Sequence, residues 1–163
     1  MPFKSHDVML IFGDLNYRLE IDNILCRQII KNGNLSQLFM YDQLLKEKMR
    51  NSHFNDLEEG TLNFNPTYRY DINTNNYDTS KKKRTPAWCD RILWKRKDFI
   101  KQILYDRADY KLSDHRPIYA FFKISVNRNP MREYNPLHHF EDYEVFIQSI
   151  SIMKKILVSL MSH

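Results

Sequence analysis

The chain has 163 residues, 42% of them apolar and 13% aromatic, with a formal net charge of +5. This is one domain's worth of chain with enough apolar residues for a core, which excludes disorder, and its charge favours anionic partners without choosing among phosphates, nucleic acid and an acidic membrane face. Two cysteines, Cys26 and Cys89, with no Cys-x-x-Cys spacing exclude a disulfide scaffold and make a reducing compartment the default.

Residues 7–12, DVMLIF, predict a buried strand that stops at Gly13. The apolar run here is too short for a signal peptide or a membrane span. Residues 20–32 place Ile21, Ile24, Leu25 and Ile29 at helical spacing, with Gly33 as the C-terminal cap. Leu35, Leu38, Leu45 and Met49 repeat the pattern and predict a second helix over 34–50. Residues 51–80 are rich in Asn, Asp, Thr and Tyr and read as a long ordered loop, a kind of segment that often carries function. Arg91–Trp94 is a short strand, and Pro117–Val126 is another, apolar on both faces. Residues 127–140 read as a linker. Phe146, Ile150, Met153, Leu157 and Leu160 share one helical face, interrupted by Lys154 and Lys155, which predicts an amphipathic rather than membrane-spanning helix. The expected organisation is therefore a domain over 1–126, a linker over 127–140 and an amphipathic helical tail of unknown role over 141–163.

Three polar clusters sit at strand ends. In Gly13-Asp-Leu-Asn-Tyr-Arg18, Asp14 and Asn16 are two positions apart, so in extended chain they face one point. A carboxylate can hold or deprotonate a water and an amide can bond a phosphate oxygen; the plain alternative is an Asx-type turn. The second cluster is RTPAWCDRILW, residues 84–94, where Trp88 and Cys89 run into Asp90 and Arg91. The third is LSDHRP, residues 112–117, in which Asp114 and His115 suit a metal ligand and a phosphate contact, or simply a satisfied turn. No Gly-x-Ser-x-Gly elbow exists, so a serine hydrolase is a poor fit. Lys81–Arg84 alone reads as a solvated charge run or a nuclear-import tag.

Taken together, GDLNYR (13–18), YDQL (41–44), Glu59-Gly60, PTYRYD (66–71), YDTSKKKRTPAWCDRIL (77–93) and SDHRP (113–117) resemble the inositol polyphosphate 5-phosphatase family, across about residues 6–123. The resemblance implies a deoxyribonuclease-I-like fold of α/β (α+β) class, a four-layer sandwich of two β-sheets flanked by helices. It implies Mg2+-dependent hydrolysis of the 5-phosphate of phosphatidylinositol 4,5-bisphosphate or related inositol phosphates. Asp14 is expected to activate the in-line water and Asn16 to hold the phosphoryl group. Asp90 is expected to orient His115 and hold it cationic, and His115 to bond the scissile phosphate. Asp114 is expected near the metal or the water. Tyr68, Arg69, Lys82 and Arg84 match positions that contact the neighbouring 4-phosphate; Arg69 stands where the family pattern has Lys. Arg18, Trp88 and Arg91 are expected to support the site, Arg91 through carboxylate or backbone contacts.

The family's domain is about twice as long as the matched stretch. The N-terminal half, with the main Glu ligand, is expected to be missing, one sheet to be largely absent and the chain alone to have little activity. The competing readings are a non-catalytic phosphoinositide-binding remnant and another Mg2+ phosphoesterase of the same fold, such as an endonuclease. The expected partner is an inositol lipid or soluble inositol phosphate at an anionic membrane surface, with no nucleic acid, in a cytoplasmic protein peripheral to membranes.

Overall fold

A computed structural model describes residues 8–50, 54, 56–95, 98–127, 140–150 and 155–162. Strand β1, Leu10–Asp14, is followed by helix α1, Asn23–Lys31, a 3-10 segment over Leu35–Tyr41 and helix α2, Gln43–Arg50. Strands β2, Leu57–Glu59, and β3, Asp90–Lys95, complete a three-stranded sheet of order β1-β3-β2. Strands β4, Ile100–Arg107, β5, Ile118–Asn127, β6, Phe140–Ile150, and β7, Lys155–Ser162, form an antiparallel four-stranded sheet in chain order.

The centre of the first sheet explains the Ile-Leu-Trp run. β3 has neighbours on both edges and is buried on both faces. Its alternation divides the core: Ile92 and Trp94 join the main cluster with Leu10 and Phe12 of β1, whereas Leu93 joins a smaller one with Leu44, Leu57, Met9 and Ile11. The main cluster lies between the sheets. Ile118, Ala120, Phe122 and Ile124 alternate along β5 into it, and Trp94 meets Phe122 edge to face with centroids 5.2 Å apart. Helix α1 adds Cys26 and Ile30. Asp22 caps α1 by accepting from the backbone N–H groups of Ile24 and Leu25, and Gly33, at φ +74°, ends it as its place in the sequence predicts.

Several expectations are corrected. The helix predicted over 34–50 is broken at Asp42, whose backbone is extended. Its carboxylate accepts from Leu45 N–H at 2.9 Å and so restarts the helix. The loop over 51–80 contains β2, added to the edge of β3. Strand β4 was not expected; a register shift between Gln102 and Leu104 breaks its alternation and hides its period.

The described residues of the amphipathic helix expected over 141–163 form two strands instead. The same residues also alternate, as Tyr143, Val145 and Ile147 do, and β5 offers an open edge whose backbone groups need partners. β6 pairs with it from Ile118↔Ser149 to Asn127↔Phe140, and Ile147 is fully buried. With β7 this completes the four-stranded sheet. The expected linker lies mostly outside the described residues. Among the described residues no helix is long and apolar enough to cross a membrane.

Candidate active site

The sequence clusters converge because the register brings them together. β1 and β3 pair antiparallel with Asp14 opposite Asp90, and Leu15 N–H donates to the Cys89 carbonyl at 2.8 Å. The segment around Thr67–Tyr70 runs between the approach to β3 and the turn before β5. Tyr68 exchanges both backbone hydrogen bonds with Ala87, at 3.1 and 2.8 Å. On its other side, Tyr70 N–H donates to the Asp114 carbonyl at 2.9 Å and Arg116 N–H to the Thr67 carbonyl at 2.8 Å.

At the centre, the His115 Nδ1–H donates to Asp90 Oδ2 at 2.9 Å, and the Thr67 hydroxyl donates to the same oxygen at 2.8 Å. Burial alone would push the imidazole pKa down. The Asp90 carboxylate overrides it by hydrogen bond and charge, Asp14 and Asp114 add to the effect, and the pKa is raised. The Tyr68 ring lies against the His115 ring, centroids 4.6 Å apart. Nδ1 is thereby committed to Asp90, leaving Nε2 as the nitrogen for a ligand.

Asp14 and Asn16 do not sit in continuous extended chain. Asn16 has φ 61°, and its N–H donates to Asp14 Oδ1 at 2.9 Å. This is the Asx turn the sequence allowed, set beside the His115 pair. Arg18 donates to Asn16 Oδ1 and lies over the Tyr68 ring at 4.4 Å. Arg69 forms an ion pair with Asp114 at 3.4 Å.

The supporting residues have specific partners. Trp88 is fully buried and donates its indole N–H to the Phe64 carbonyl at 2.9 Å. Arg91, also fully buried, donates to both oxygens of Glu59, at 2.6 and 2.7 Å, and to both of Asp42, at 2.9 and 3.1 Å. Burial would weaken its charge; Glu59 and Asp42 hold it cationic. Tyr105 joins the group, accepting from Ile92 N–H and donating to Glu59. Asp90 is therefore the first residue of a strand whose second is clamped by two carboxylates. Cys26 and Cys89 are free and buried; burial pushes each thiol up to about 12, so neither is a nucleophile.

Lys82 and Arg84 are exposed, on a loop whose backbone folds around Asp78. Asp78 accepts from Ser80 N–H at 3.0 Å and Arg84 N–H at 2.9 Å. Burial would raise its pKa, but these bonds bring it to about 2. Sequence reasoning missed the roles of Thr67, Asp42, Glu59, Arg27 and Asp78. Thr67, Asp42, Glu59 and Asp78 stand inside the quoted motifs, so their positions were visible and their partners were not.

Carboxylate and amide oxygens are donors of the hard kind Mg2+ takes, so Asp14, Asn16 and Asp114 suit it in type. They do not suit it in number. Among the described residues no group of three or more His, Cys, Asp or Glu side chains is placed to hold a metal ion.

The chain is similar to known proteins over most of its length. Residues 1–121 match the model of the endonuclease/exonuclease/phosphatase family 2. The chain is 46% identical over 125 residues to synaptojanin of Caenorhabditis elegans, covering 75% of this chain and 11% of that protein. It is 43% identical over 128 residues to type I inositol polyphosphate 5-phosphatase 8 of Arabidopsis thaliana, covering 76% and 26%. It thus spans about a quarter or less of these curated relatives. Among solved structures, the inositol polyphosphate 5-phosphatase domain of SPsynaptojanin, in complex with inositol (1,4)-bisphosphate and calcium ion, superimposes with a TM-score of 0.68 at 43% identity, covering 71% of this chain and 34% of that one. A Cimex nitrophorin, solved as its ferrous NO complex, superimposes with a TM-score of 0.66 at 33% identity, covering 74% and 43%. The fold alone therefore does not decide the chemistry; the residues of the site do. By the matched family, the chain belongs to the endonuclease/exonuclease/phosphatase family 2.

Proposed function

We propose that this chain carries part of the active site of a Mg2+-dependent phosphatase that removes the 5-phosphate of phosphatidylinositol 4,5-bisphosphate or a related inositol phosphate. The observation that carries this is the Asp90–His115 pair, at 2.9 Å, with Asp90 buried and the Asp14 charge helping to raise the imidazole pKa. In the reaction, water attacks phosphorus in line and the bond from phosphorus to the inositol 5-oxygen breaks, giving inorganic phosphate and the free hydroxyl. Asp14 takes a proton from the water, and Asn16 holds a phosphoryl oxygen. His115, kept cationic by Asp90, donates to the scissile phosphate where negative charge grows. Tyr68, Arg69, Lys82 and Arg84 take the neighbouring phosphate, Arg with its bidentate fork. Bound Mg2+ would neutralise charge at phosphorus, with Asp114 as the donor this chain would offer.

A peripheral contact with an anionic, cytoplasmic membrane face belongs to the same reading. Ile72, Tyr110 and Leu112 are 59%, 61% and 65% exposed. Their two loops are joined by the Asn73 N–H bond to the Lys111 carbonyl, at 2.8 Å. Apolar tips beside Lys111 are what an acidic lipid surface attracts.

A second reading, a phosphoinositide binder without hydrolysis, is favoured by the incomplete donor set. One experiment separates the two. Phosphate release from phosphatidylinositol 4,5-bisphosphate vesicles is measured with and without Mg2+, alongside vesicle binding, for the chain and for Asp14→Ala. Mg2+-dependent release that Asp14→Ala abolishes supports the phosphatase. Binding without release above the variant supports the binder. Neither release nor binding overturns both.

A further inference from the structure

We infer that Arg27, on helix α1, is a positioning residue for second-phosphate recognition: it fixes the shape of the cationic loop and so sets where Lys82 and Arg84 project. The inference rests on the reading of those two residues as contacts for the phosphate next to the scissile one.

From within, the loop is shaped by Asp78, which accepts from Ser80 and Arg84 N–H, and by the Lys83 N–H bond to the Ser80 carbonyl. Lys81–Arg84 are four exposed cations in sequence, which repel one another, and none is within ion-pair distance of an acid among the described residues. Lys83 adopts φ 39°, a left-handed conformation that Lys disfavours. Helix α1 adds a hold from outside the loop. Arg27 donates from Nη1 to the Tyr77 carbonyl at 3.0 Å, and from Nη2 to the carbonyls of Asp78 at 2.8 Å and Arg84 at 3.5 Å. One guanidinium thus ties the start of the loop to its end. Its Nε donates to Asn23 Oδ1 at 2.8 Å, and Asn23 Nδ2 donates to the Lys83 carbonyl at 2.8 Å. The two side chains are one turn apart on α1 and brace each other.

The brace is continuous with the site. Asp78 N–H donates to the Arg69 carbonyl at 2.9 Å, so the clamped loop start also anchors a second proposed phosphate contact. Arg27 itself is committed to carbonyls and to Asn23, so it acts through the loop and not as a ligand. Its planar fork suits this task, since an ammonium at the same place has no fixed geometry to span several carbonyls.

The test is binding of inositol 1,4-bisphosphate and inositol 1-phosphate by calorimetry. It compares the chain with Arg27→Ala, Asn23→Ala and the double variant Lys82→Ala/Arg84→Ala, while the His115 titration is followed by NMR. Arg27→Ala is expected to weaken bisphosphate binding by about tenfold, the scale of one lost charge-assisted contact. Monophosphate affinity and the His115 titration should stay as they are. Asn23→Ala, which leaves the guanidinium in place, should give a smaller loss of the same selective kind and carries the test if Arg27→Ala does not fold. Equal losses for both ligands, or a shifted His115 titration, would mean a general structural role and overturn the inference. A loss in the double variant with none in Arg27→Ala or Asn23→Ala would overturn the inference alone. No loss in the double variant would remove the loop reading, and the inference with it.

Discussion

Two clusters of cationic side chains in this molecule are used in opposite ways. Arg91 is fully buried and meets both oxygens of two carboxylates, Glu59 and Asp42. Lys81–Arg84 are exposed and have no acid partner among the described residues, while their backbone is held by Asp78, Arg27 and Asn23. Taking a charge out of water is costly, so the interior tolerates Arg91 only with its hydrogen bonds filled. On the surface that cost is absent, and cations left unpaired on a rigid backbone keep their full attraction for an incoming anion. In these two clusters, pairing goes with a charge used for structure, and its absence on a braced loop with charges kept for a ligand.

The contrast can be broken most forcefully from the inside. Arg91→Ala leaves two buried carboxylates facing each other and is expected to destabilise the fold by about 3–5 kcal/mol. Chemical denaturation measures this, and a loss under about 1 kcal/mol, the range of an exposed pair, would show that the network is not the anchor of β3.

Next in size is the titration of His115. Its pKa is raised in the folded chain, so the Asp90 pair contributes stability that is complete below the ordinary histidine value of about 6.5 and is lost as pH rises through the folded value. Asp90→Asn removes the hydrogen-bonded carboxylate but not the burial, so the pKa should fall. NMR titration of the imidazole reads this directly. A histidine that titrates alike in both forms would remove the cationic His115 from the proposed reaction.

The smallest expected effect sharpens the other side. Lys82→Ala/Arg84→Ala should change unfolding stability by no more than about 0.5 kcal/mol, as exposed substitutions do, or raise it slightly by relieving repulsion. A large destabilisation in a melting experiment would make the loop cations structural and erase the distinction between the two clusters.

The polar residues singled out along the chain meet in the fold, whereas two of the elements around them differ from their expected form. Asp14, Asn16, Asp90, Asp114 and His115 were singled out because polar residues at strand ends stand out against apolar runs, and their motifs match a known family. The identity of β1, α1, β3 and β5 was legible from unambiguous periods. Two elements misled the reading. At Asp42 a helical period continues across a residue whose side chain is taken by Arg91 and Leu45 N–H. In residues 140–162 the apolar spacing fits a helix and a strand alike, and the open edge of β5 selects strands. Neither competitor is local, so neither can be seen along the chain.

By itself the sequence determined which side chains the chemistry has at its disposal, the family they belong to and the strands and helix with a single clear period, because these follow from residue type and spacing. Only the tertiary structure decided which nitrogen of His115 is committed, which carboxylates Arg91 takes, how Arg27 clamps the cationic loop and that the last residues extend the second sheet. Those outcomes depend on groups tens of residues apart meeting within hydrogen-bond distance, and the positions of such partners are set by packing.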